Sequence, residues 1–144
     1  MKIYHLILLL LISYTLCSKE KMMSEFVKCA NAQVGKEYTE EDNRGPNKFS
    51  NSGLVWYCRG VAGLSTSGTI YVSWKNVKKP KVGAYVYGIT KYNGPSVSTE
   101  SLGIIVSINP TIVVAGDKEK GVLRRQPLVF KKQYLDIEYH YVDF

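Results

Sequence analysis

The chain changes character once along its length, and that single change limits what it can fold into. From Met22 to Val34 the apolar residues Met22, Met23, Phe26, Val27, Cys29, Ala30 and Val34 recur at helical spacing, with Gly35 as a stop. Asn51-Ser52-Gly53 then opens a second helical stretch that runs through Leu54, Val55, Trp56, Tyr57 and Cys58 to Val61 and ends at Gly63. Asn51 or Ser52 is expected as its N-cap, because either side chain accepts a hydrogen bond from a helix N–H. Between the two, 36–50 is polar and turn-rich and reads as a loop. After a Ser/Thr-rich connector the pattern is that of strands: Ala84 to Tyr87, Leu102 to Ser107, Thr111 to Ala115, Gly121 to Leu123 and Ile137 to Val142. Asn93-Gly94-Pro95 and Asn109-Pro110 supply turns between them. Helices first and strands second predict an α+β domain, with N-terminal helices packed on an antiparallel β-sheet.

Ahead of the first helical stretch stands a segment of another kind. Lys2 precedes an apolar run from Ile3 to Ile12, followed by Ser13-Tyr14-Thr15-Leu16-Cys17-Ser18. One positive charge, a short apolar core and small residues describe a secretory signal peptide. Charged Lys19-Glu20-Lys21 ends the run short of a membrane span. The expectation is a signal peptide over 1–17 and a single domain over 18–144, in a secreted or lumenal protein. A retained signal anchor is the alternative.

The three Cys and two His of the chain then divide unevenly, because Cys17 and His5 fall in the leader. Cys29, Cys58 and His140 remain. Two thiols in an exported domain either form one disulfide or stay as a buried pair. So few ligands exclude a multi-His metal centre, and neither metal nor cofactor is expected.

Several short elements occur in an order that points further: Gln33-Val34-Gly35-Lys36-Glu37-Tyr38, Gly45-Pro46-Asn47, Phe49-Ser50-Asn51-Ser52-Gly53-Leu54-Val55, Val82-Gly83-Ala84-Tyr85-Val86 and Ser101-Leu102-Gly103-Ile104-Ile105-Val106. Together they resemble the NlpC/P60 family of papain-like cysteine peptidases, over nearly all of the chain after the leader. The resemblance implies a papain-like NlpC/P60 fold. In that family a cysteine at a helix N-terminus attacks the amide bonds of cell-wall stem peptides. The helix dipole favours its thiolate, a histidine on a facing strand moves the proton, and a third polar residue orients the imidazole.

Residue by residue, the resemblance places Asn51 at the nucleophile, Ser101 at the histidine and Val114 at the third position, or Val113 if the register slips by one. All three catalytic roles are vacated. Tyr38 matches a tyrosine that lines the family's groove, so Tyr38, Asn51, Ser52 and Ser101 are the candidate groove. Cys58, two helical turns beyond Asn51, lies outside the reach of the dipole and is read as structural. His140 is read as an edge or surface residue.

The chain carries a net charge of +7, concentrated in Lys75 to Lys81, Arg124-Arg125 and Lys131-Lys132. Such clusters form a solvated basic face or attract an anionic surface: wall polymers, acidic glycans or phospholipid head groups. Nucleic acid is not expected to be a partner of an exported protein. The expected function is that of a pseudoenzyme acting by binding a cell-wall peptide, a glycan or a protein partner. The alternatives are a peptidase or amidase with a relocated centre, and a structural, self-assembling secreted protein.

Overall fold

The computed structural model describes residues 2–64, 74–91 and 96–142. The Ser/Thr-rich connector and the Asn93-Gly94-Pro95 turn lie outside them. The first helix, α1, covers Lys2–Ala32, so the leader and the helix expected from Met22 form one element. No glycine or proline precedes Gly35 to break it. Its first half is exposed, and only Met23, Phe26, Cys29 and Ala30 enter the core. This apolar N-terminal helix is long enough to cross a membrane and fits a signal sequence.

Helix α2 covers Asn51–Val61. Its N-cap is Ser50, one residue ahead of the expected Asn51 or Ser52. Ser50 has extended backbone angles, and its Oγ accepts from the Gly53 N–H at 3.0 Å. Cys58 of α2 is bonded to Cys29 of α1, with 5.4 Å between their Cα atoms. Of the two alternatives for the thiols, the structure has the disulfide.

Eight strands follow: β1 Glu37–Tyr38, β2 Lys48–Phe49, β3 Trp74–Val77, β4 Tyr85–Lys91, β5 Val97–Ser107, β6 Ile112–Asp117, β7 Val122–Pro127 and β8 Asp136–Val142. They form one sheet in the order β2-β1-β7-β6-β5-β4-β8-β3. The sheet is antiparallel except where β1 runs parallel to β2. The domain is therefore α+β, as expected. The segment 36–50, read as a loop, carries β1 and β2 instead. Two-residue strands have no periodicity to betray them, and their pairing is decided by neighbours distant in sequence.

The helices cover one face of the sheet. Phe26, Leu54, Val55 and Cys58 pack there against Phe49, Tyr85, Ile104, Val114 and Leu123. Ala84, Val86, Ile105, Val113 and Ala115 form a second cluster, packed with Leu102, Leu128 and Ile137. His140 contradicts the edge-or-surface reading: β8 is an interior strand between β4 and β3, and His140 is buried. Its ring stands edge-on to Tyr87 with centroids 5.1 Å apart, and Nε2 is 2.8 Å from Glu138 Oε2. A histidine so placed is half of a packing contact.

One irregularity in β5 positions the site. Val86 pairs with Gly103 but Tyr87 pairs with Ser101, so Leu102 is an extra residue on β5. This bulge needs Gly103, whose φ is +109° and whose absent Cβ would stand 2.4 Å from the Val114 carbonyl oxygen. It resets the alternation of side chains. Ile104 joins the helix-facing core while Leu102 packs with the second cluster. Ser101 is turned to the helix-facing side, where the fully buried Tyr85 donates its hydroxyl to Ser101 Oγ at 2.6 Å.

Candidate functional site

Because Ser50 caps α2, the next side chain, Asn51, is released to reach across to the sheet. Its Nδ2 donates to the Ser101 carbonyl oxygen of β5 at 3.0 Å, and its Oδ1 accepts from the Gly116 N–H of β6 at 2.8 Å. One partner is an acceptor and the other a donor, which fixes the orientation of the amide. Among short side chains, this demand suits a carboxamide. A carboxylate does not donate, and a thiol is a poor partner to both. Asn51 thus acts as a brace between the helix N-terminus and two adjacent strands.

Tyr38 closes the other side. Its ring lies directly over Gly116, where any Cβ would collide with it. That explains a glycine inside β6, since only a bare backbone lets the ring and the Asn51 amide approach together. Burial raises the Tyr38 hydroxyl pKa, against the opposing pull of Lys118. The phenol is therefore neutral at physiological pH.

These residues form the floor of a groove with two connected parts, each of about 230 Å³. The polar part is flanked by Glu40, Ser50, Ser52, Thr99 and Lys118. The more apolar part runs past Leu102, Val113, Ala115, Leu128 and Val129. Tyr38, Asn51, Glu100, Ser101 and Lys118 border both. At the rim Lys118 pairs with Glu40. Glu100 accepts from Lys131 Nζ at 2.9 Å and from the Tyr134 hydroxyl at 2.7 Å. Burial alone would raise the Glu100 pKa, but these donors outweigh it and hold the carboxyl below its ordinary range. Burial, and then the hydrogen bond to Glu100, pushes the Tyr134 hydroxyl far upward.

Of the residues singled out in the sequence, Tyr38, Asn51, Ser52 and Ser101 meet in this groove. Val114 does not. It is wholly buried in the helix-facing core, paired with Ile104, and the β6 residue that meets Asn51 is Gly116. Val113, the alternative for the third position, borders the apolar part. Cys58 is buried in its disulfide and His140 lies on β8, so neither borders the groove. Glu100, Lys118 and Tyr134 were missed, and Lys131 was noted only as part of a basic cluster. A glycine directly after the predicted strand Thr111 to Ala115, which the structure extends through Gly116 to Asp117, was the one available sign of a close approach there.

No protein-family model matches the chain, and no curated protein does.

Proposed function

We propose that the chain is a secreted, NlpC/P60-like pseudoenzyme, which binds a cell-wall peptide or peptide-like ligand in this groove without cleaving it. The observation that carries the reading is the double engagement of Asn51. At the position where the peptidases that the sequence resembles place a nucleophile, a carboxamide spends its donor on β5 and its acceptor on β6. A carboxamide is a poor nucleophile, and Ser101, facing it, offers no base of imidazole strength. Tyr85 further commits the Ser101 hydroxyl. What remains is a groove with a rigid floor, an apolar part for side chains and a polar part for backbone amides, the usual composition of a small-ligand site.

The test is to incubate the protein with peptidoglycan stem peptides and follow both cleavage and binding. The expected result is saturable binding with no hydrolysis, and loss of binding in Thr99→Trp, which fills the polar part from an exposed position. Cleavage that co-purifies with the protein and disappears in Thr99→Trp would overturn the pseudoenzyme reading.

A further inference from the structure

Outside α1, three of the four most exposed large apolar side chains among the described residues lie in the connection between β7 and β8: Val129 at 68%, Leu135 at 64% and Phe130 at 56%. They are held outward by a fixed scaffold. A turn closed by the Tyr134 N–H on the Lys131 carbonyl, at 3.0 Å, sets Phe130 and Leu135 at its two flanks. The ends of the connection are pinned by Leu128 N–H to Thr111 O at 3.1 Å and Leu135 N–H to Ile89 O at 2.7 Å. Its middle is tied to β5 through Glu100, which holds both Lys131 and Tyr134. Lys131 and Lys132 stand at the tip, both exposed. Lys131 is shared with Glu100, so Lys132 carries the larger part of the outward charge.

We infer that the 128–135 loop is a membrane-docking element that inserts Val129, Phe130 and Leu135 among anionic lipid head groups. Three side chains at this exposure present on the order of 300 Å², far below the roughly 800 Å² per partner of a stable protein interface. Exposed apolar side chains flanking a turn that carries lysine suit an interfacial layer, where the apolar groups enter the acyl boundary and the cation meets phosphate or carboxylate. Val129, Lys131 and Tyr134 also border the groove, so a docked molecule has its groove at the lipid surface. The inference stands whatever the groove holds.

The full chain is tested with an environment-sensitive nitrobenzoxadiazole label on Val129→Cys, in a Cys17→Ser background so that one thiol takes the label. The label reads the loop itself, even if the apolar start of α1 also holds the chain to lipid. With phosphatidylcholine vesicles containing phosphatidylserine, its emission is expected to shift to the blue and intensify. With phosphatidylcholine alone the change is small. Lys132→Glu requires at least about fivefold more lipid for half of the shift, from the weight of one surface charge. The inference fails if the chain floats with the anionic vesicles and the emission stays put, or if both vesicle types give the same shift. It fails equally if the shift appears without lipid as protein concentration rises, since the loop is then covered by a second copy.

Discussion

At the floor of the groove Asn51 joins the start of α2 to the backbones of β5 and β6 through two short hydrogen bonds, whereas at the rim Lys118, Glu40, Lys131 and Glu100 meet as pairs open to water. The floor is half-buried, so water replaces a lost partner there less readily than at the rim. At the rim, water and salt replace a lost partner at little cost. The same surface depression therefore combines a structural base with an adaptable edge. Substitutions at the two levels are expected to differ severalfold in their effect on stability.

The largest effect belongs to the element that sets the floor in place. The disulfide ties α2 to α1 across a sequence separation of 29. Closing a loop of that length restricts the unfolded chain by about 3.6 kcal/mol. Cys29→Ala with Cys58→Ala is expected to lower stability by that amount, read as a fall in the urea midpoint. A double variant as stable as the parent would place the rigidity of the floor in the packing of Phe26, Leu54 and Val55 alone.

Next comes the brace itself. Asn51→Ala leaves the Ser101 carbonyl and the Gly116 N–H without their partner and is expected to cost about 2 kcal/mol. Asn51→Asp retains the acceptor for Gly116 but turns a carboxylate towards a carbonyl oxygen. It should lose stability at neutral pH and regain part of it once the acid is protonated and can donate. Equilibrium unfolding of both variants at neutral and acid pH checks this. Equal stability of all three proteins would mean that the brace contributes nothing, and with it would go the structural explanation for an asparagine at this position.

That explanation also marks how far the sequence was readable. Helix α2 was legible because Gly53, Leu54, Val55 and Cys58 follow three consecutive cap-forming residues, Ser50, Asn51 and Ser52. Which of the three caps was not legible, since all satisfy the same rule and the choice depends on Gly116, 65 residues beyond Asn51. In β5 the stretch from Leu102 to Ser107 announced itself by apolar residues on both faces. Val97 to Ser101 did not, because its strand state comes from pairing with Tyr87 to Lys91. Arg124, Arg125 and Gln126 in β7 are extended for the same reason, opposite β6. Local composition thus located the buried parts of the sheet. The polar strands that carry Glu100 and Ser101 to the groove are fixed by partners the sequence does not display.

The smallest effect is expected at the rim, and its pH dependence separates it from the floor. Glu100 has a folded pKa held below its ordinary value of 4.5 by Tyr134 and Lys131. A depressed carboxyl contributes stability above its unfolded pKa and loses that contribution as pH falls through the folded one. The pair is partly exposed, with side-chain exposures of 44% for Lys131 and 35% for Glu100, so its worth is about 0.5 kcal/mol after screening. Glu100→Gln still accepts from Tyr134 but gives up the charge that Lys131 answers. Its deficit relative to the parent is expected at neutral pH, shrinking once the pH drops below 4.5 and fading further with added salt. A deficit that persists unchanged in acid and in salt would show that Glu100 acts by packing the 128–135 loop against β5, and the rim would then belong with the floor.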